Sequence, residues 1–132
     1  MRPCDMLATL GLVIFAVEDV DVAARFYREA FAWEETVATP VYVEMSLPAG
    51  MRFGLYDRLG FAQNVGEYPL AAPGLSSAEI YIHVDNLDEA CARLRRAGAR
   101  ELSPPRARDW GDVVAYFTDP DKNVIAVARP IS

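Results

Sequence analysis

The chain carries a single histidine, His83, in the run Ala78-Glu79-Ile80-Tyr81-Ile82-His83-Val84. Side chains alternate across a strand, so Glu79, Tyr81 and His83 share one face and Ile80, Ile82 and Val84 the other. The apolar set suits packing against helices, which leaves the polar set for a cleft. An imidazole there is matched to acid–base work near neutral pH. A carboxylate in apolar surroundings is a candidate base. Glu44 is a third candidate, because a hairpin turning at Pro48-Ala49-Gly50 sets it beside Gly54, as Tyr116 is set beside Ala126. Two carboxylates and one imidazole also form a conceivable ligand set for a divalent ion. Each has a plainer role to weigh: a lone histidine near a strand end is commonly structural, and Glu79 could simply hold an ion pair. Tyr42, Tyr56, Tyr81, Trp110 and Tyr116 offer rings on which a flat ligand can stack.

The elements that must position these groups fit a chain of 132 residues, 52% hydrophobic and 24% charged, with net charge −6. That suits one compact domain. No basic stripe of the kind a nucleic-acid binder shows is visible. Arg93, Arg95, Arg96 and Arg100 cluster, but among Asp88, Glu89 and Glu101, which reads as a solvated helix face. No apolar run approaches the ~18 residues of a membrane span, and no basic-then-apolar leader is seen, so the cytoplasm is the expected location. Cys4 and Cys91 do not make a disulfide framework. Cys91 falls within a helix with no base nearby, which argues against a nucleophile. No phosphate loop, dinucleotide fingerprint or zinc spacing occurs.

Strands are expected over 10–17, 34–38, 41–47 and 51–56, with a helix over 20–31 capped by Asp19. The stretch 57–77 is rich in Gly, Pro, Ala and Asn and shows no period; it reads as a linker, in part a lid. The pattern then restarts. A strand over 78–84 leads to a helix over 87–97, capped by Asn86 and closed by Gly98, then to strands over 100–102, 113–118 and 124–128. The two halves repeat. Val17-Glu18-Asp19 lines up with Val84-Asp85-Asn86, Ala30 with Ala97, Pro48 with Pro120 and Gly54 with Ala126. The expected fold is α+β: module one about 8–56, a linker over 57–77 and module two about 78–130. These βαβββ modules would form a curved, incomplete barrel-like sheet around a cleft, with helices outside.

Val17-Glu18-Asp19-Val20 followed by Ala24-Arg25-Phe26-Tyr27, and Trp110-Gly111 followed by Tyr116-Phe117-Thr118-Asp119-Pro120-Asp121-Lys122-Asn123, carry a family resemblance. Together they resemble the glyoxalase/bleomycin resistance protein/dioxygenase (vicinal oxygen chelate) superfamily. The resemblance spans nearly the whole chain, about 10–129, and departs from the pattern at Lys122, where the family usually has Gly. It implies that metal-dependent members hold a divalent ion through four inward side chains, two from the first strands and two from the last strands of the modules. The matching positions here are Leu12, Glu79, Gly54 and Ala126. Three of them cannot ligate through a side chain, so no metal and no cofactor are expected, and these positions become part of the ligand-lining set.

The expected function is binding of a small organic ligand in the cleft, lined by Leu12, Glu44, Gly54, Tyr56, Tyr81, Trp110, Tyr116 and Ala126. Acidic and aromatic walls favour a cationic or flat aromatic molecule. The alternative is a glyoxalase-like lyase or isomerase, or a dioxygenase-like enzyme, using a displaced metal or Glu79 and His83 as acid and base. The resemblance further implies a homodimer, in some members with each cleft built from two chains.

Overall fold

The computed structural model describes residues 8–71 and 73–132; Cys4 lies outside them. Helix α1, Val20–Phe31, starts where the sequence predicts, because the Asp19 side chain accepts a hydrogen bond from the Val22 N–H at 3.1 Å. Its stripe of Val20, Ala23, Ala24, Phe26, Tyr27 and Ala30 is buried. Its counterpart in the second half of the chain is Leu87–Arg96, capped by Asn86, whose side chain accepts from the Glu89 N–H at 3.0 Å. Asp21 near the start of α1 and Arg28 near its end both complement the helix dipole.

In module one, strands β1 (Val13–Val17), β2 (Glu34–Ala38), β3 (Tyr42–Ser46) and β4 (Arg52–Asp57) form one sheet in the order β1-β4-β3-β2. In module two, β5 (Glu79–His83), β6 (Arg100–Ala107), β7 (Asp112–Thr118) and β8 (Val124–Pro130) form a second in the order β5-β8-β7-β6. The result is an α+β fold of two modules without barrel closure. In each sheet the first strand runs parallel to the last, as a helical crossover requires, and the other pairs are antiparallel.

The repeat is visible in the register. One row runs Ile14–Gly54–Glu44–Val37 across the first sheet. The matching row runs Tyr81–Ala126–Tyr116–Ser103 across the second. Both expected neighbour pairs, Glu44 beside Gly54 and Tyr116 beside Ala126, are therefore present. The outer strands β2 and β6 also carry register shifts at like places, after Glu35 and after Glu101.

Three differences from the sequence reading exceed two residues. Strand β1 begins at Val13 rather than at residue 10, with Leu10 largely exposed. Strand β6 continues past 102 to Ala107 through Pro104 and Pro105, which an outer strand tolerates because one of its edges needs no ladder hydrogen bonds. The 57–77 stretch is not all loop. A helix, α2, covers Arg58–Val65, and the Asp57 carboxylate caps it by accepting from the N–H groups of Leu59 and Gly60. Gly66 closes it in the left-handed region at φ 91°. Its apolar residues make no single stripe, so periodicity gave no sign of it. The second-module helix is numbered α3.

One core serves both modules. Val17, Phe26, Tyr27, Trp33, Met45, Phe53 and Leu55 from the first join Leu87, Cys91, Leu94, Phe117, Ile125 and Val127 from the second. Ile80, Ile82 and Val84 pack against it, as strand alternation required. Burial pushes the Cys91 thiol up, away from the reactive thiolate. Lys122 takes the left-handed turn position at φ 66°, a conformation that costs a residue with a Cβ roughly 1–2 kcal/mol. Among the described residues no helix is long and apolar enough to cross a membrane.

Candidate functional site

The polar residues singled out from the sequence lie on the sheet faces opposite the core, as two separate sets. Among the described residues, the hydrogen bonds and ring contacts of each set stay within its own module.

On the module-one face, Gly54 is flanked by Ile14 and Glu44. A Cβ at Gly54 would come within 2.5 Å of the Tyr42 hydroxyl and 3.0 Å of Ile14 Cγ1, so Tyr42 occupies the room a side chain would need. The Tyr42 hydroxyl donates to Glu44 Oε1 at 2.7 Å, and Arg52 Nη1 donates to Glu44 Oε2 at 3.2 Å. Lost hydration first, then the Glu44 carboxylate, pushes the Tyr42 phenol up, so it stays a donor. Both Glu44 oxygens are thus engaged and its charge is balanced. Helix α2 supplies a wall here. Phe61 packs edge-on against Tyr56 at 6.3 Å, and the Asn64 amide donates to the Tyr56 hydroxyl at 2.9 Å.

On the module-two face, Val114, Ala126 and Ala128 form a fully buried apolar floor, with Tyr81 and Tyr116 packed against it. A directed chain crosses it: Trp110 Nε1–H donates to the Tyr81 hydroxyl at 2.9 Å, which donates to Asp112 Oδ2 at 2.5 Å. Desolvation and the Asp112 bond raise the Tyr81 phenol, which keeps that direction fixed. Trp110 itself is 56% exposed, a ring free to meet a ligand. Arg108, which sequence reasoning missed, lies 5.1 Å over the Tyr116 ring. It is held by Ser103 Oγ and the Val114 carbonyl, both at 3.0 Å from Nη2. Its Nε is buried with no partner among the described residues. Two prolines just before it made this stretch read as loop, which hid its position.

Glu79 and His83 share the β5 face, and His83 lies edge-on to Tyr81 at 5.4 Å. Four residues along one strand separate them by roughly 13 Å, so they cannot share a proton directly. Of the four positions matching the metal ligands that the resemblance implies, Leu12, Gly54 and Ala126 offer no donor. Glu44, the nearest substitute at Gly54, is already saturated. Among the described residues no group of three His, Cys, Asp or Glu side chains is placed to hold a metal ion. The donor set therefore does not fit such an ion.

Paired βαβββ modules, each a helix-backed sheet with one face turned away from the shared core, define the architecture of the chain. The chain belongs to the Glyoxalase/Bleomycin resistance protein/Dioxygenase superfamily, whose family model matches residues 9–127. Solved structures share the fold. A glyoxalase-related enzyme from Fulvimarina pelagi is 23% identical with a TM-score of 0.82, over 92% of this chain and 88% of that one. A family enzyme from Burkholderia phytofirmans PsJN is 19% identical with a TM-score of 0.79, over 94% and 100%. The fosfomycin resistance protein FosX from Mesorhizobium loti is 19% identical with a TM-score of 0.69, over 93% and 92%. No curated protein matches the chain.

Proposed function

We propose that this chain binds a small organic molecule on the polar faces of its sheets, as a homodimer, and without the divalent ion of metal-dependent relatives. The observation that carries this reading is the module-two shelf: a floor of Val114, Ala126 and Ala128, walled by Tyr81 and Tyr116, with the exposed Trp110 indole beside it. The floor is closed over by these side chains, so a flat group stacks on the exposed Trp110 indole and the partly exposed Tyr81 and Tyr116 rings above it. The metal-free part of the reading rests on Leu12, Gly54 and Ala126, and on Tyr42 filling the space at Gly54. The dimer part rests on strand edges. β1 and β5 each end their sheet with a free edge, and Val13 and Ile14 on β1 are more than one third exposed. A second copy set along those edges would bring one module-one face next to one module-two face.

The test has two arms. Protein purified without chelator, exposed to nickel, zinc, manganese and iron(II) and then desalted, is expected to retain near-zero metal by elemental mass spectrometry. Titration with flat aromatic compounds, cationic and neutral, is expected to quench Trp110 saturably. Tyr116→Ala should weaken that binding about tenfold, the upper end for one lost ring contact. One metal equivalent per chain, abolished by Glu79→Ala, would overturn the metal-free reading in favour of an enzyme with a displaced site. An unresponsive Trp110 across the panel would overturn the ligand reading.

A further inference from the structure

A cavity of about 450 Å³ opens at the seam between the modules, where the starts of β1 and β4 face the start of β5. Its volume lies within the ordinary range for small-molecule sites. The apolar walls come from the core side of both sheets, while Arg52, Glu79 and Tyr81 reach the rim from the opposite strand faces. Phe15 and Phe53 meet edge-on at 5.1 Å, Trp33 meets Phe53 at 6.0 Å and 73°, and Ile80 closes the module-two side. Two charges stand in this apolar lining, Arg52 and Glu79. That of Arg52 is already balanced by Glu44 at 3.2 Å. Glu79 has no hydrogen bond or ion pair among the described residues. The uncompensated charge of the pocket is therefore negative, and its walls are aromatic.

We propose that this seam is a second binding site, distinct from the polar sheet faces, which takes a small aromatic amine. The ring sits among Phe15, Trp33 and Phe53, and the ammonium group faces the Glu79 carboxylate. Aromatic walls add attraction for a cation beyond the area they bury. Glu79 acts here as a counter-ion, a role that needs neither a metal nor an acid–base partner. The inference stands apart from the proposed function, because none of the shelf residues except Tyr81 lines the seam.

The chain holds two tryptophans, Trp33 in the seam wall and Trp110 on the module-two face, so one experiment separates the two sites. Protein labelled with 5-fluorotryptophan gives two fluorine resonances, assigned with Trp110→Phe. Titrated with 2-naphthylmethylamine, the Trp33 resonance is expected to shift saturably. The isosteric 2-naphthalenemethanol should bind roughly fivefold more weakly, as for one partly exposed ion pair. Glu79→Gln, at an exposed position that should not disturb folding, is expected to erase that preference while the alcohol still binds. Ile80→Phe, which fills the cavity with an apolar side chain, should remove binding of both. A saturable shift confined to Trp110 overturns the seam site and supports the sheet-face reading. A Trp33 resonance that ignores the amine but moves on protein dilution overturns it too, and assigns the seam to contact with a second copy. A Trp33 shift with equal affinity for amine and alcohol overturns the role given to Glu79.

Discussion

Asp119→Ala is expected to lower the unfolding free energy by about 3–5 kcal/mol, the range for truncating one partner of a buried charged network. Asp119 is 5% exposed and gathers four donors. Oδ1 accepts from the N–H groups of Asp121 and Asn123, each at 2.9 Å. Oδ2 accepts from the Tyr27 hydroxyl at 2.6 Å and from the Asn123 amide at 3.0 Å. Two of these donors lie on the β7–β8 turn backbone, a third on the Asn123 side chain, and the fourth on helix α1 of the other module. One carboxylate thus shapes a turn and fastens the two halves. Alanine leaves all four donors short of an acceptor, and each orphaned buried group costs about 1–3 kcal/mol before relaxation. Burial, then the charge of Asp119, pushes the Tyr27 phenol up, so it remains a donor throughout the accessible pH range. Tyr27→Phe removes one bond and should cost only about 1–2 kcal/mol. Urea unfolding followed by Trp33 fluorescence checks both, since Trp33 stacks on Tyr27 at 5.8 Å. A loss under about 1 kcal/mol for Asp119→Ala would mean that water replaces the carboxylate at the turn.

The sequence already displays the architecture, because it is written twice. Two alignments, one on the helix caps and one on the last hairpins, set Val17 against Val84 and Gly54 against Ala126. The strand registers repeat accordingly, with Ile14 paired to Gly54 and Tyr81 to Ala126, two residues on from the first-strand positions Leu12 and Glu79 that the resemblance singles out. Strand alternation likewise sorted Ile80, Ile82 and Val84 from Glu79, Tyr81 and His83. What it could not give is how a residue's neighbours spend its charge. Glu44 reads as a free acidic wall until Tyr42 and Arg52 are seen to occupy both its oxygens. Gly54 reads as a missing ligand, whereas its lack of a side chain is what admits Tyr42. Helix α2 stayed hidden because it has no apolar stripe, and Arg108 because prolines precede it. In each case the deciding contact spans strands or modules, and local pattern carries no record of it.

Arg58 is the second residue that binds the modules together, and Arg58→Met is expected to cost about 3–5 kcal/mol. It opens α2 in the linker and is itself buried. Its guanidinium contacts the Glu18 carboxylate after β1, and reaches Asp121 Oδ1 on the β7–β8 turn at 3.3 Å. The two acids are not equivalent. The Glu18 side chain is 79% exposed and that of Asp121 is 6% exposed. Losing the guanidinium therefore leaves Glu18 to water but strands Asp121, whose remaining described donor to Oδ1 is the Glu18 N–H at 2.9 Å. Burial raises the Asp121 carboxyl above the ordinary aspartate value of 3.8, against the lowering pull of that N–H and of Arg58. The sign follows from linkage. A raised folded pKa means that the folded state favours the protonated acid, so this contribution is complete below about pH 3.8 and is lost as pH rises through the folded value. Without Arg58 the loss should be larger and extend to higher pH. Asp121→Asn should remove this pH dependence in either background. Combined with Arg58→Met it should recover part of the stability, because the stranded charge is gone. Urea midpoints across pH 3–7 for the four proteins of this cycle measure the coupling. Additive losses, with no recovery in the double variant, would show that Arg58 acts through the packing of its stem and not as the partner of Asp121.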